Sequence, residues 1–152
     1  MEKKVSEAIV SLHTARYLSF RYLVFQNRLS KAIESAVYMT MDLTSSQWLG
    51  LSDILKINEF LAATILKSYL KVFSPGICLS NEAILRQKSM IDRIICACLS
   101  CRRNAGANRN GFYLKKNEIV LVMEDIPASN NALVEIPIEQ KALVPYLKID
   151  KW

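Results

Sequence analysis

The sequence is poor in the residues that punctuate a chain. Its 152 residues include only four glycines and four prolines, and none of these falls between Val5 and Thr40. The usual turn signals are therefore missing from that whole stretch. A single histidine, His13, excludes the zinc patterns that need a histidine pair. There is no glycine-rich phosphate loop, and Glu118, Glu124, Asp125, Glu135 and Glu139 are scattered along an acidic tail without a partner base. These absences argue against an enzyme, so no catalytic residue, cofactor or small-molecule substrate is expected. No apolar run approaches the roughly 18 residues of a membrane span. Glu7, His13 and Arg16 interrupt the N-terminal apolar residues, so no cleavable signal peptide is expected. A cytoplasmic protein with no membrane partner is expected, and its four cysteines are then reduced thiols.

What is present is apolar surface and a localised positive charge. Hydrophobic residues make up 51% of the chain and mean hydropathy is +0.15, which for one domain of this length favours surface buried in partners. On a helical wheel Leu18, Tyr22, Phe25, Leu29, Ala32, Ile33 and Ala36 form one stripe, and Val5, Ile9, Leu12, Phe20 and Leu23 form a second. A continuous helix over 5–40 would be about 54 Å long, more than a compact domain of this size spans. Either it breaks near Ser30 as part of an intramolecular core, or a second subunit packs along it. The second case makes a homodimer with Leu18, Tyr22, Phe25 and Leu29 in its seam.

Asp42 to Gln47 is a polar break. The spacing of Ile54, Leu55, Ile57, Leu61, Ile65, Leu66, Tyr69 and Phe73 then predicts a helix over 51–73, with Ser52 as its N-cap and Ser74-Pro75-Gly76 as its stop. Residues 55–59 could instead be the turn of a helix-turn-helix, with Asn58 capping its second helix. A third helix is predicted over 82–103. Its Cys96-x-Cys98-x-x-Cys101 spacing invites a metal, but on a helix Cys96 and Cys98 lie about 160° apart, so no metal site is assigned. Phe112 to Val122 reads as a hairpin, and 126–152 as an irregular or β-like arm.

Between residues 86 and 116 there are eight basic residues and one acid, so the net charge of +6 has its source there. Arg93, Arg102, Arg103, Asn108, Arg109, Asn110, Lys115 and Lys116 are the candidate DNA contacts, the cations for phosphates and the asparagines for base edges or backbone. The alternative is a solvated cationic face that contacts an acidic protein.

The order of segments resembles the FlhD-type subunit of the flagellar master transcriptional activator and its relatives that activate transfer of conjugative elements. Tyr22 to Leu29, Leu51 to Glu59 and Ile91 to Arg102 carry the resemblance. It implies a mainly α fold with an intertwined helical dimer over 1–104, while residues 105–152, read from the residues as a small C-terminal β or irregular extension, reach beyond the compact form of that family. It also implies a homodimer acting with an FlhC-like zinc-binding subunit, which Ile91, Ile94, Ile95 and Leu99 would contact, and binding promoter DNA only in that hetero-oligomer. The rival expectation is an interaction module or inhibitor from a mobile element, with no role for nucleic acid.

Overall fold

The computed structural model describes residues 5–25, 33–101, 110–124 and 133–152. Four strands form the first sheet in the order β1 (Val5–His13), β2 (Tyr17–Phe25), β3 (Ile33–Asp42) and β4 (Gln47–Trp48), each antiparallel to its neighbour. The helical region follows as α1 (Leu51–Ile54), α2 (Glu59–Phe73), α3 (Asn81–Leu85) and α4 (Lys88–Ser100). A second antiparallel sheet, β5 (Gly111–Lys115), β6 (Glu118–Glu124) and β7 (Leu133–Glu139), leads into α5 (Gln140–Leu143) and a 3-10 turn at Val144–Tyr146. No helix among the described residues is long and apolar enough to cross a membrane.

This mixed α/β architecture overturns the mainly α fold and the intertwined helical dimer expected from the sequence. The described part of the predicted first helix is three strands. Two periods compete there: Tyr17 to Phe25 carries apolar residues at every second position as well as at helical spacing, and β-branched and aromatic side chains suit a pleated surface. A turn without glycine or proline decides between them. The Thr14 hydroxyl accepts from the backbone N–H groups of Arg16 (3.3 Å) and Tyr17 (2.9 Å), while Thr14 N–H donates to the Tyr17 carbonyl at 2.8 Å. The break expected at Asp42 to Gln47 is likewise a turn. There the Asp42 carboxylate accepts from Thr44 N–H at 2.9 Å, and Ser46 takes the left-handed conformation with φ 59°. The break proposed near Ser30 lies outside the described residues.

The predicted helix over 51–73 is two helices. Gly50, not Ser52, precedes the first, and its N–H donates to the Asp53 carboxylate at 2.7 Å. The chain then leaves helical geometry because the C-terminal tail takes its backbone groups: Lys56 N–H donates to the Tyr146 carbonyl and Lys148 N–H to the Ile54 carbonyl, both at 2.8 Å. Asn58 restarts it, its side chain accepting from Leu61 N–H at 2.9 Å. With α1 only one turn long, the arrangement lacks the first helix of a helix-turn-helix. The predicted helix over 82–103 is also divided, since Ser80 caps α3 and α4 begins afresh at Lys88.

One hydrophobic core joins α1 to α4 to one face of the second sheet, with Leu61, Ile65, Ile94, Leu114, Ile119, Leu121 and Ile136 almost fully enclosed. Each such side chain contributes on the order of 1.5–3 kcal/mol by leaving water. The boundary expected at 104–105 lies outside the described residues, and the segments on its two sides share this core.

Candidate interaction surface

The register of the first sheet sorts its side chains into two faces. On β2, Tyr17, Ser19 and Leu23 are buried, and on β3 so are Ala36 and Thr40; cross-strand pairing sets Ser19 opposite Thr40 and Leu23 opposite Ala36. These residues make the inner face. By the two-residue alternation of a strand, Leu18, Phe20, Tyr22 and Val24 point the other way, as do Val37, Met39 and Met41 on β3. On β1, Val10, Ala8 and Ser6 stand opposite Phe20, Tyr22 and Val24 on the outer face, with His13 opposite Leu18 at one end. Trp48, opposite Met41, closes one side with its ring edge-on to Phe20, centroids 6.1 Å apart. None of these side chains is an aspartate, glutamate, lysine or arginine, Val10 is 60% exposed and Tyr22 is 42% exposed.

The inner face is held to the rest of the protein by polar contacts. Ser19 and Thr40 hydroxyls are 2.8 Å apart, and Leu114 N–H on β5 donates to Ser19 Oγ at 2.8 Å. Beside them Arg21 lies over the ring of Tyr113 at 4.6 Å, Tyr38 stacks on Tyr113 at 6.0 Å, and the Tyr113 hydroxyl donates to Glu135 at 3.0 Å. Arg21 also approaches Glu135 at 3.5 Å. Burial, then the Glu135 charge, pushes the phenol of Tyr113 well above its ordinary range, and Tyr38 is raised by the same two causes. Gly111 is required here, because a Cβ on it would meet Tyr38 Cδ2 at 2.7 Å. This cluster couples the two sheets and keeps its phenols neutral, so it serves as a clamp.

The expected sites are scattered. Leu18 and Tyr22 stand together on the outer face, Phe25 alternates to the opposite one, and Leu29 lies outside the described residues. Ile91 and Ile94, expected to meet a partner subunit, are taken up by the protein's own core; Ile95 is half-buried against it and Leu99 is 54% exposed. Of the expected DNA contacts, Arg102, Arg103, Asn108 and Arg109 lie outside the described residues. Arg93 is exposed on α4, and Asn110 donates to Ser100 Oγ at 3.1 Å where β5 begins. Lys115, 3.7 Å from Glu118, and exposed Lys116 sit at the far end of that strand, roughly 17 Å of extended chain from Asn110. These described residues are not gathered at one spot.

Cys96 is exposed while Cys98 and Cys101 are buried, and burial raises both enclosed thiols, Cys101 to about 12. Among the described residues no group of three or more metal-ligating side chains is assembled. A cleft of about 720 Å³ lies between α2, the 75–79 loop and β7. Of its charged lining, Lys67 is on Asn81 at 2.9 Å, Glu118 on Lys115 and Glu139 on Lys141 at 3.1 Å, and Lys71 also lines it. A helical wheel splits the outer face, putting Phe20 on a different stripe from Leu18 and Tyr22 and leaving Val24, Val37, Met39 and Met41 on neither. The signal was present as alternation: Leu18-x-Phe20-x-Tyr22-x-Val24 and Val37-x-Met39-x-Met41. No protein-family model matches the sequence, and a search of characterised proteins found no match.

Proposed function

We propose that the protein is a homodimeric, non-catalytic interaction subunit, and that the outer face of the β1–β4 sheet is the platform on which it holds another protein. The observation that carries this is the uncharged apolar character of that face, with Val10 and Tyr22 open to solvent in a single copy. Contiguous apolar surface of this kind marks protein contacts, and the absence of charge selects a partner surface that is itself apolar. Photo-crosslinking tests it: p-benzoylphenylalanine in place of Tyr22, in the cells that make the protein, should give one discrete adduct whose mass identifies the partner. The same probe in place of Phe73, an exposed aromatic on α2, is the control. No adduct at Tyr22, or the same adducts from both positions, would sink the reading.

A second reading is favoured by the charge distribution. The eight-to-one excess of basic residues over 86–116 suits a polyanion, and supports DNA binding within the activator assembly that the sequence resemblance implies. With about six phosphate contacts, log affinity should fall with log salt at a slope near −5. A salt-insensitive complex would remove nucleic acid from the account.

A further inference from the structure

The sheets have four edges, and they differ in how open they are among the described residues. β4 covers β3 only at Met41 and Asp42, and Leu49 N–H donates to the Thr40 carbonyl, so the stretch 33–39 of β3 has no ladder partner on that side. The edge of β5 is met by β2, whose Ser19 hydroxyl takes the Leu114 N–H. β7 carries Pro137 opposite Val120; a proline cannot donate to the ladder, and on an edge strand it blocks further pairing. β1 is different. It is nine residues long, with no proline, lysine or arginine between Val5 and His13, and among the described residues it pairs with β2 alone.

We infer that β1 is the seam of the homodimer, pairing antiparallel with β1 of a second copy about a two-fold axis at Ala8. The axis stands perpendicular to the sheet, so the outer faces of both copies remain on one side. Paired residues must then share a face, which restricts the register to same-parity pairs. The bulge between Val10 and Leu12 leaves the strand regular only up to Val10. A centre at Glu7 would set two carboxylates opposite each other, and a centre at Ile9 would draw the bulge into the ladder. A centre at Ala8 pairs Ser6 with Val10, Glu7 with Ile9 and Ala8 with its twin, and no like charges meet. It also explains why Val10 is so exposed in one copy, since the neighbour on its open side belongs to the other. An isologous pairing of this kind uses the β1 edge of each copy once, so it closes at two.

The pairing bears on the platform through area, and only its area argument rests on the platform reading. Three long strands make a face of roughly 30 by 14 Å, about 400 Å². Two copies side by side present about 800 Å², the share of one partner in a specific complex.

Sedimentation at micromolar concentration should give two copies of the wild-type chain. Ala8→Lys, which places a charge on the seam at an exposed position, should weaken the dimer about tenfold or more with its circular dichroism unchanged. Tyr22→Lys, one strand away, should leave it intact. Independently, Ala8→Cys in a Cys78→Ser/Cys96→Ser background should form an intermolecular disulfide under mild oxidation, since directly opposed Cα atoms of an antiparallel pair lie about 4.5–5.5 Å apart, within the span of a disulfide. A monomeric wild-type chain, or a dimer that Ala8→Lys leaves unchanged and Ala8→Cys does not trap, overturns the pairing while a Tyr22 adduct to another protein still upholds the platform. An Ala8→Cys disulfide without any Tyr22 adduct upholds the pairing and removes the platform.

Discussion

The two sheets are built from similar residues and end in opposite circumstances. In β5–β7 both faces are covered: Leu114, Ile119 and Leu121 sit at 0% exposure against the helices, and Tyr113, Val120 and Val122 are buried on the other side with Tyr38 packed on them. In β1–β4 only the inner face is covered. What distinguishes the sheets is position, since the second is sandwiched between the helices and the first sheet, whereas nothing among the described residues closes the outer face of the first. An apolar side chain therefore supports folding in one sheet and remains available for association in the other.

The largest test of that contrast compares equivalent truncations. Leu121→Ala should cost about 2–5 kcal/mol, measured by urea denaturation, because the surrounding core cannot collapse into the space. Leu18→Ala on the outer face should cost under about 1 kcal/mol in the isolated chain. Similar losses at both positions would mean that the outer face is packed within the single chain, and the platform would be lost.

Next in size is the joint between the sheets. Ser19→Ala removes the acceptor of Leu114 N–H and the partner of the Thr40 hydroxyl in a site with no room for bulk solvent. Leaving those groups unpaired should cost about 1–3 kcal/mol. Ser45→Ala in the exposed turn should stay within about 0.5 kcal/mol of wild type. If Ser19→Ala were equally mild, the buried hydroxyl contact would not be what holds the two sheets together.

The phenol clamp gives a pH signature. Tyr113 has a folded-state pKa raised from 10.0 by burial and by Glu135, so its contribution is fully present below pH 10 and is lost as pH rises through the higher folded value. Urea midpoints should therefore fall with increasing alkalinity above about pH 10. Tyr113→Phe should lessen that dependence while leaving the part due to Tyr38, Tyr17 and the buried Cys98 and Cys101 thiols, all raised in the same direction. An unaltered alkaline profile in Tyr113→Phe would show that the phenol titrates freely.

Parts of this were legible in the sequence and parts were not, for reasons that can be traced to particular residues. The hairpin from Phe112 to Val122 was legible because Lys116-Asn117 separates two short apolar runs; Asn117 takes φ 64° there. The α2 region was legible from its spacing, with its true start at Asn58 marked by that residue's capping chemistry. The strands at 5–42 were not, since their turns rest on Thr14 and on Asp42 with Ser46 in place of glycine or proline. Leu18 and Tyr22 fell on one face under either geometry because a spacing of four suits both a helix and a strand. Phe25, three residues further on, separated from them because an odd spacing reverses the face of a strand. The break between α1 and α2 could not be read locally, as it depends on hydrogen bonds from a tail some ninety residues away.

The smallest effect is expected at the other link between the first sheet and the remainder of the protein. Arg16, in the β1–β2 turn, reaches Asp150 at 3.4 Å and Asp42 at 3.6 Å, with its own side chain 45% exposed and that of Asp150 92% exposed. Water screens such pairs, and ordering two mobile side chains offsets most of the attraction, so Arg16→Ala should cost no more than about 1 kcal/mol and the difference should vanish in high salt. The backbone bond from Leu43 N–H to the Arg16 carbonyl survives the substitution, which confines the change to charge and side-chain contact. A larger loss that persists in salt would place the main attachment of the first sheet at this turn, not at the buried Ser19, Thr40 and Leu114 contact, and would reverse the order of the two joints.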